Sequence, residues 1–103
     1  MKNKSLYIIV LSLLLSFTAL AQQKITVTGR VVDKDGVPVM SAGVFVKGTT
    51  NGTVTDFDGN YVLNQVPVDA VLTASNLGYA ESERPVDGKT VVDFVLQDES
   101  VVL

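Results

Sequence analysis

The chain contains no cysteine, no histidine and no tryptophan in its 103 residues, and only three prolines. Without cysteine there is no disulfide framework and no thiolate-based metal or redox chemistry. Without histidine, Ser41, Ser75 and Ser82 lack the usual base of a serine nucleophile. Carboxylate pairs do not replace it. Asp33 with Asp35, and Asp56 with Asp58, each share one short turn, whereas glycosidase-type acid and base groups face each other across a cleft. Lys24, Lys47 and Lys89 fall in strand or turn contexts that expose them. The residues therefore point away from an enzyme, and no cofactor is expected.

Basic charge is scarce too, with 8 Lys and Arg against 11 Asp and Glu. Two of the basic residues, Lys2 and Lys4, open a leader with an apolar stretch from Leu6 to Phe17, broken only by Ser12 and Ser16. It ends in the small-x-small site Ala19-Leu20-Ala21 before Gln22, the pattern of a secretory signal peptide over residues 1–21. The apolar stretch falls short of the roughly 20 residues that a spanning helix needs. With the leader's two lysines gone, the net charge moves from −3 to −5. An acidic chain with no basic patch is not suited to nucleic acid or to anionic membrane surfaces. No cysteine follows the cleavage site to take a lipid.

Helical periodicity is absent after the leader. About seven short β-favouring segments remain, separated by turn chemistry. In Lys24–Val32, residues Ile25, Val27, Gly29 and Val31 share one face, opposite Thr26, Thr28 and Arg30. Val44-Phe45-Val46 is the second segment, with all three apolar side chains candidates for strand packing, and Asn51-Gly52 reads as its hairpin turn. Gly52–Thr55, Asn60–Val66 and Ala70–Asn76 follow. Ala80–Val86, with Glu81, Glu83, Arg84 and Pro85, has the charge and proline of an edge strand. Thr90–Leu96 closes the series with Val92, Phe94 and Leu96 facing in. The expected fold is all-β, an antiparallel sandwich spanning residues 22–97, followed by an acidic and valine-rich tail over 98–103.

The segment Lys47 to Tyr61, K-G-T-T-N-G-T-V-T-D-F-D-G-N-Y, has G-R-V-V-D-K-D-G-V-P-V before it and L-G-Y at Leu77 to Tyr79 after it. This combination resembles the carboxypeptidase-regulatory-like domain at the N-terminus of SusC/RagA-type TonB-dependent outer-membrane receptors. The resemblance implies a transthyretin-like sandwich, seven strands of Greek-key type. It also implies a non-catalytic role, since metallocarboxypeptidases keep their zinc ligands in a separate domain. Receptors of this kind continue through an acidic linker into a plug and a membrane barrel, and Asp98 to Leu103 looks like the start of that linker. These 103 residues hold no plug or barrel, so the chain alone is not expected to carry a nutrient across a membrane.

The implied role is an exported, outer-membrane-associated periplasmic module that contacts an envelope protein, either a receptor plug and barrel or the TonB-type energising complex. The other reading is a stand-alone exported module that binds a glycan, a peptide or an envelope protein. Candidate contact residues are Phe57 at a turn tip, Tyr79 after Gly78, and Glu99, Val101 and Val102, which could add as a strand to a partner's sheet edge. Tyr79 could instead cap the sandwich through its hydroxyl. The two D-x-D-G runs read first as structural turns. Neither fits an EF-hand, because the twelfth positions are Pro67 and Val44, and Asp56, Asp58 and Asn60 remain as a weaker calcium candidate. Mass spectrometry of the exported protein should find Gln22 at its N-terminus. Retention of Met1 in the envelope fraction would contradict the leader assignment.

Overall fold

The computed structural model describes residues 23–99. The leader, Gln22 and residues 100–103, with the candidate contacts Val101 and Val102, lie outside that range. Seven strands run in order: β1 (Lys24–Asp33), β2 (Gly43–Val46), β3 (Gly52–Val54), β4 (Asn60–Pro67), β5 (Val71–Ser75), β6 (Ser82–Pro85) and β7 (Phe94–Leu96). They form a three-stranded sheet, β4-β1-β7, and a four-stranded sheet, β3-β2-β5-β6. The charged, proline-bearing β6 is an edge strand, as its composition predicts.

Alternation decides what lies between the sheets. Val27 and Val31 of β1, Val44 and Val46 of β2, Tyr61 and Leu63 of β4, Leu72 and Ala74 of β5, and Phe94 and Leu96 of β7 are buried. Each fully buried Leu or Phe side chain contributes about 1.5–3 kcal/mol against exposure, and in a chain without disulfides this core carries the fold. The Tyr61 and Phe94 rings meet inside it with centroids 6.3 Å apart at 53°.

Three expectations are corrected. The sandwich is not wholly antiparallel, because β7 pairs in parallel with β1 through Val31–Phe94, Val32–Val95 and Asp33–Leu96. The chain runs up and down in turn, so the first and seventh strands point the same way and are parallel once the fold sets them side by side. Nor is Asn51-Gly52 the turn. The Thr49 N–H donates to the Val46 carbonyl at 3.0 Å, and Gly48 takes the positive φ of 80° that this turn needs. Gly52 is a strand residue opposite Phe45, where a β-carbon would stand 2.9 Å from that of Phe45. Phe45 is the third correction. It lies between the inward Val44 and Val46, so it faces outward, half-buried beside its cross-strand neighbour Thr73.

The two D-x-D-G runs fold alike. The Asp33 Oδ1 accepts the N–H of Asp35 and Val37, and the Asp56 Oδ1 accepts those of Asp58 and Asn60, all at 2.9 Å. In each, a glycine at positive φ ends the turn, Gly36 at 80° and Gly59 at 77°. Their surroundings differ. Nothing lies within 4 Å of a β-carbon at Gly36, whereas one at Gly59 would meet the Val31 carbonyl oxygen at 2.5 Å.

The first sheet is tied across its width by one side chain. Tyr61 stands opposite Gly29 on β1, and its hydroxyl passes over that glycine to donate to the Val92 carbonyl beyond it. A β-carbon at Gly29 would overlap that carbonyl and stand 2.8 Å from the Tyr61 ring. Burial, and secondarily the Asp93 carboxylate, push the Tyr61 phenol well above its ordinary value near 10.

Gly59→Val should cost about 1–3 kcal/mol in chemical denaturation, with Gly36→Val losing less because only φ strain applies there. Equal losses would refute the crowding at Gly59. The Tyr61 shift also has a sign. The folded state keeps a proton that the unfolded state releases, so this contribution is whole below pH 10 and declines as pH rises beyond it. Tyr61→Phe should lose about 1–3 kcal/mol at neutral pH through the unpaired carbonyl, yet show a shallower alkaline decline. An unchanged alkaline slope in urea melts from pH 8 to 11 would contradict the assignment.

Candidate functional site

Strand direction gathers four segments at one end of the sandwich: the loop between β1 and β2, the turn between β3 and β4, the segment after β5, and the tail after β7. Buried Thr55 organises the first of these. Its hydroxyl donates to the Val39 carbonyl at 2.6 Å and accepts the Ala42 N–H at 2.9 Å. The Ser41 N–H donates to the Thr55 carbonyl at 3.0 Å, with Ser41 held at a φ of 58° that non-glycine residues seldom adopt. This clamp fixes the backbone on both sides of Met40, which is 52 % exposed.

Phe57, at the tip of the Asp56–Asn60 turn, is 84 % exposed and shares a shallow groove with Met40, Ser41, Thr55 and Asp56. The Asn76 amide reaches the Met40 carbonyl at 3.4 Å and brings the turn bearing Leu77, 96 % exposed, to the same end. The groove holds about 180 Å³. Clefts of about 280 Å³ at Lys24, Val46, Asn51 and Pro67, and about 240 Å³ at Arg84, Lys89 and Asp93, are larger. All fall below the ~300–1,000 Å³ of sites that enclose a small molecule. Such a surface suits contact with another surface.

Tyr79 does not stand free. It is half-buried against the core, and its backbone bridges to Asp98. The hydroxyl that ties the sandwich belongs to Tyr61, a residue whose sequence position gave only a packing role. Glu99 is exposed in its side chain, but its N–H already donates to the Gly78 carbonyl at 3.2 Å, and Ala80 donates to Gln97 at 2.8 Å. The tail is therefore strapped to the segment after β5. Lys34 reinforces the strap at 2.8 Å from Asp98, and that carboxylate holds the Lys34 ammonium above its ordinary value.

Asp56, Asp58 and Asn60 share one turn, but the Asp56 Oδ1 faces the backbone N–H groups of the other two. The Asp58 carbonyl accepts Arg30 Nε at 3.0 Å. Among the described residues no three acidic groups, cysteines or histidines gather as a metal-holding set. Met40 was missed by sequence reading. Its signal was a bulky apolar residue stranded in a loop between Pro38 and Ser41.

Two sheets of three and four strands, tied by a tyrosine over a glycine and presenting loops at one end, define a small β-sandwich module. The chain belongs to the CarboxypepD_reg-like domain family, whose pattern matches residues 27–103. It is 43 % identical over 100 residues to the TonB-dependent receptor SusC of Bacteroides thetaiotaomicron, a match covering 97 % of this chain and 10 % of that protein. A TonB-dependent receptor of Formosa agariphila is 45 % identical over 73 residues, 71 % of this chain and 7 % of that protein. The chain thus spans a tenth or less of these two relatives. Among solved structures, a type II cohesin–X-dockerin complex from Acetivibrio cellulolyticus matches with a TM-score of 0.54 at 20 % identity, covering 69 % of this chain and 52 % of that one. That likeness concerns the fold alone.

Proposed function

We propose that the chain is a non-enzymatic periplasmic module of a TonB-dependent receptor system, associated with the outer membrane and acting through contacts with an envelope protein. The observation that carries this reading is the match to SusC along 97 % of the chain. The form of the surface supports it: shallow clefts and exposed apolar side chains on rigid loops fit a protein partner better than an enclosed substrate. We read residues 1–21 as the export signal, 22–97 as the module and 98–103 as the start of a linker. The linker would lead from the end that carries Met40 and Phe57.

The test is in-cell crosslinking of the full chain, followed by envelope fractionation and mass spectrometry of the adducts. The reading expects periplasmic or outer-membrane recovery, with adducts to a receptor plug or barrel or to the energising complex. Recovery on immobilised envelope glycan, with no receptor adduct, would replace it with a free-standing glycan-binding module.

A further inference from the structure

The net negative charge of the described residues is not spread evenly. Asp33, Asp35, Asp56, Asp58, Asp98 and Glu99 all lie at the end where the tail leaves, against Lys34, paired with Asp98, and Arg30, whose Nε donates to the Asp58 carbonyl. At the opposite end Lys47 is paired with Glu83 at 3.0 Å, and Lys24 and Lys89 match Asp69 and Asp87 in number. The same end carries Met40, Phe57 and Leu77, the last two almost fully exposed. A small module gains nothing in folding from such side chains in water. The Thr55 clamp and the Ser41 backbone hold the main chain on both sides of Met40.

We propose that this end is a docking face for a cationic polypeptide segment: apolar side chains of the partner seat on Met40, Phe57 and Leu77, and flanking Lys or Arg residues meet the carboxylates gathered at the same end. The inference rests on the protein-contact reading above and adds the face and the chemistry of the partner. Charge complementarity selects the occupant. Six carboxylates against Lys34 and Arg30 leave this end net negative, which repels acidic proteins, including a second copy of this chain, and attracts basic ones. The apolar side chains supply short-range affinity, and the carboxylates supply orientation and encounter rate.

The test uses the full exported chain, isotopically labelled, titrated with a soluble peptide that carries Leu and Phe among Lys residues. The control is the same peptide with Glu for every Lys. Saturable shifts of the amide signals near Met40, Phe57 and Leu77 are expected with the Lys peptide only, weakening as salt is raised. Phe57→Ser with Leu77→Ser should weaken binding about tenfold or more at an unchanged melting temperature. Asp35→Asn with Asp58→Asn should flatten the salt dependence. Shifts centred on Lys24 and Lys89, equal binding of the Glu peptide, or undiminished binding by the double serine variant would overturn the proposal. So would concentration-dependent dimerisation of the chain that Phe57→Ser abolishes. Receptor adducts that persist in the double serine variant would refute this face while leaving the receptor reading intact.

Discussion

The path of the Tyr61 side chain over Gly29 to the Val92 carbonyl is the constraint on which the first sheet depends. β7 is three residues long and pairs with β1 alone in its sheet, so its ladder is short. The tyrosine adds a tie from β4, on the far side of β1, and the Arg30 N–H donates to the Asp93 carboxylate at 2.9 Å beside it. Both cross the place where the chain passes from the four-stranded sheet to the three-stranded one. A buried phenol is costly unless its hydroxyl is paired, and a buried carbonyl costs the same if left alone, so each group makes the other tolerable. Glycine at position 29 is what lets them meet.

From that fixed sheet the functional end follows. β1 and β7 run the same way and deliver the Asp33 turn and the tail to one end, where the Lys34–Asp98 pair joins them. The strap on the tail consists of a few exposed backbone bonds and one surface ion pair, an arrangement that opens at far lower free energy than the β1–β4 ladder. The clamp around Thr55 is buried and rigid by contrast. The end therefore combines an apolar face set on a buried clamp with a tail held beside it by exposed bonds.

Much of this was legible in the sequence. Period-two alternation gave the core of β1 and β7, and the paired Asp and Gly residues gave both D-x-D-G turns, because local hydrogen bonds decide them. Legibility failed where tertiary context decides. Asn51-Gly52 carries the strongest hairpin dipeptide, yet Gly48 supplies the positive φ, and the Asn51 amide instead donates to the Asn64 carbonyl at 2.9 Å to join the two sheets. Phe45 looked like core because it is apolar, but its neighbours Val44 and Val46 had already taken the inward face. The parallel pairing of β7 depends on which strands become neighbours, which no local pattern encodes. The docking end was half visible: Phe57 at its turn tip was, and Met40 was not, because its exposure depends on a hydroxyl fifteen residues away at Thr55.

The central claim is that Gly29, Tyr61 and Val92 act as one interlock. A double-mutant cycle of Gly29→Ala and Tyr61→Phe, followed by chemical denaturation, measures it most directly. The account predicts that each single variant is destabilised and that the double variant loses clearly less than the sum, by about 0.5–3 kcal/mol, since both disrupt the same contact. Strict additivity would show that the tyrosine and the glycine act independently and would contradict the interlock.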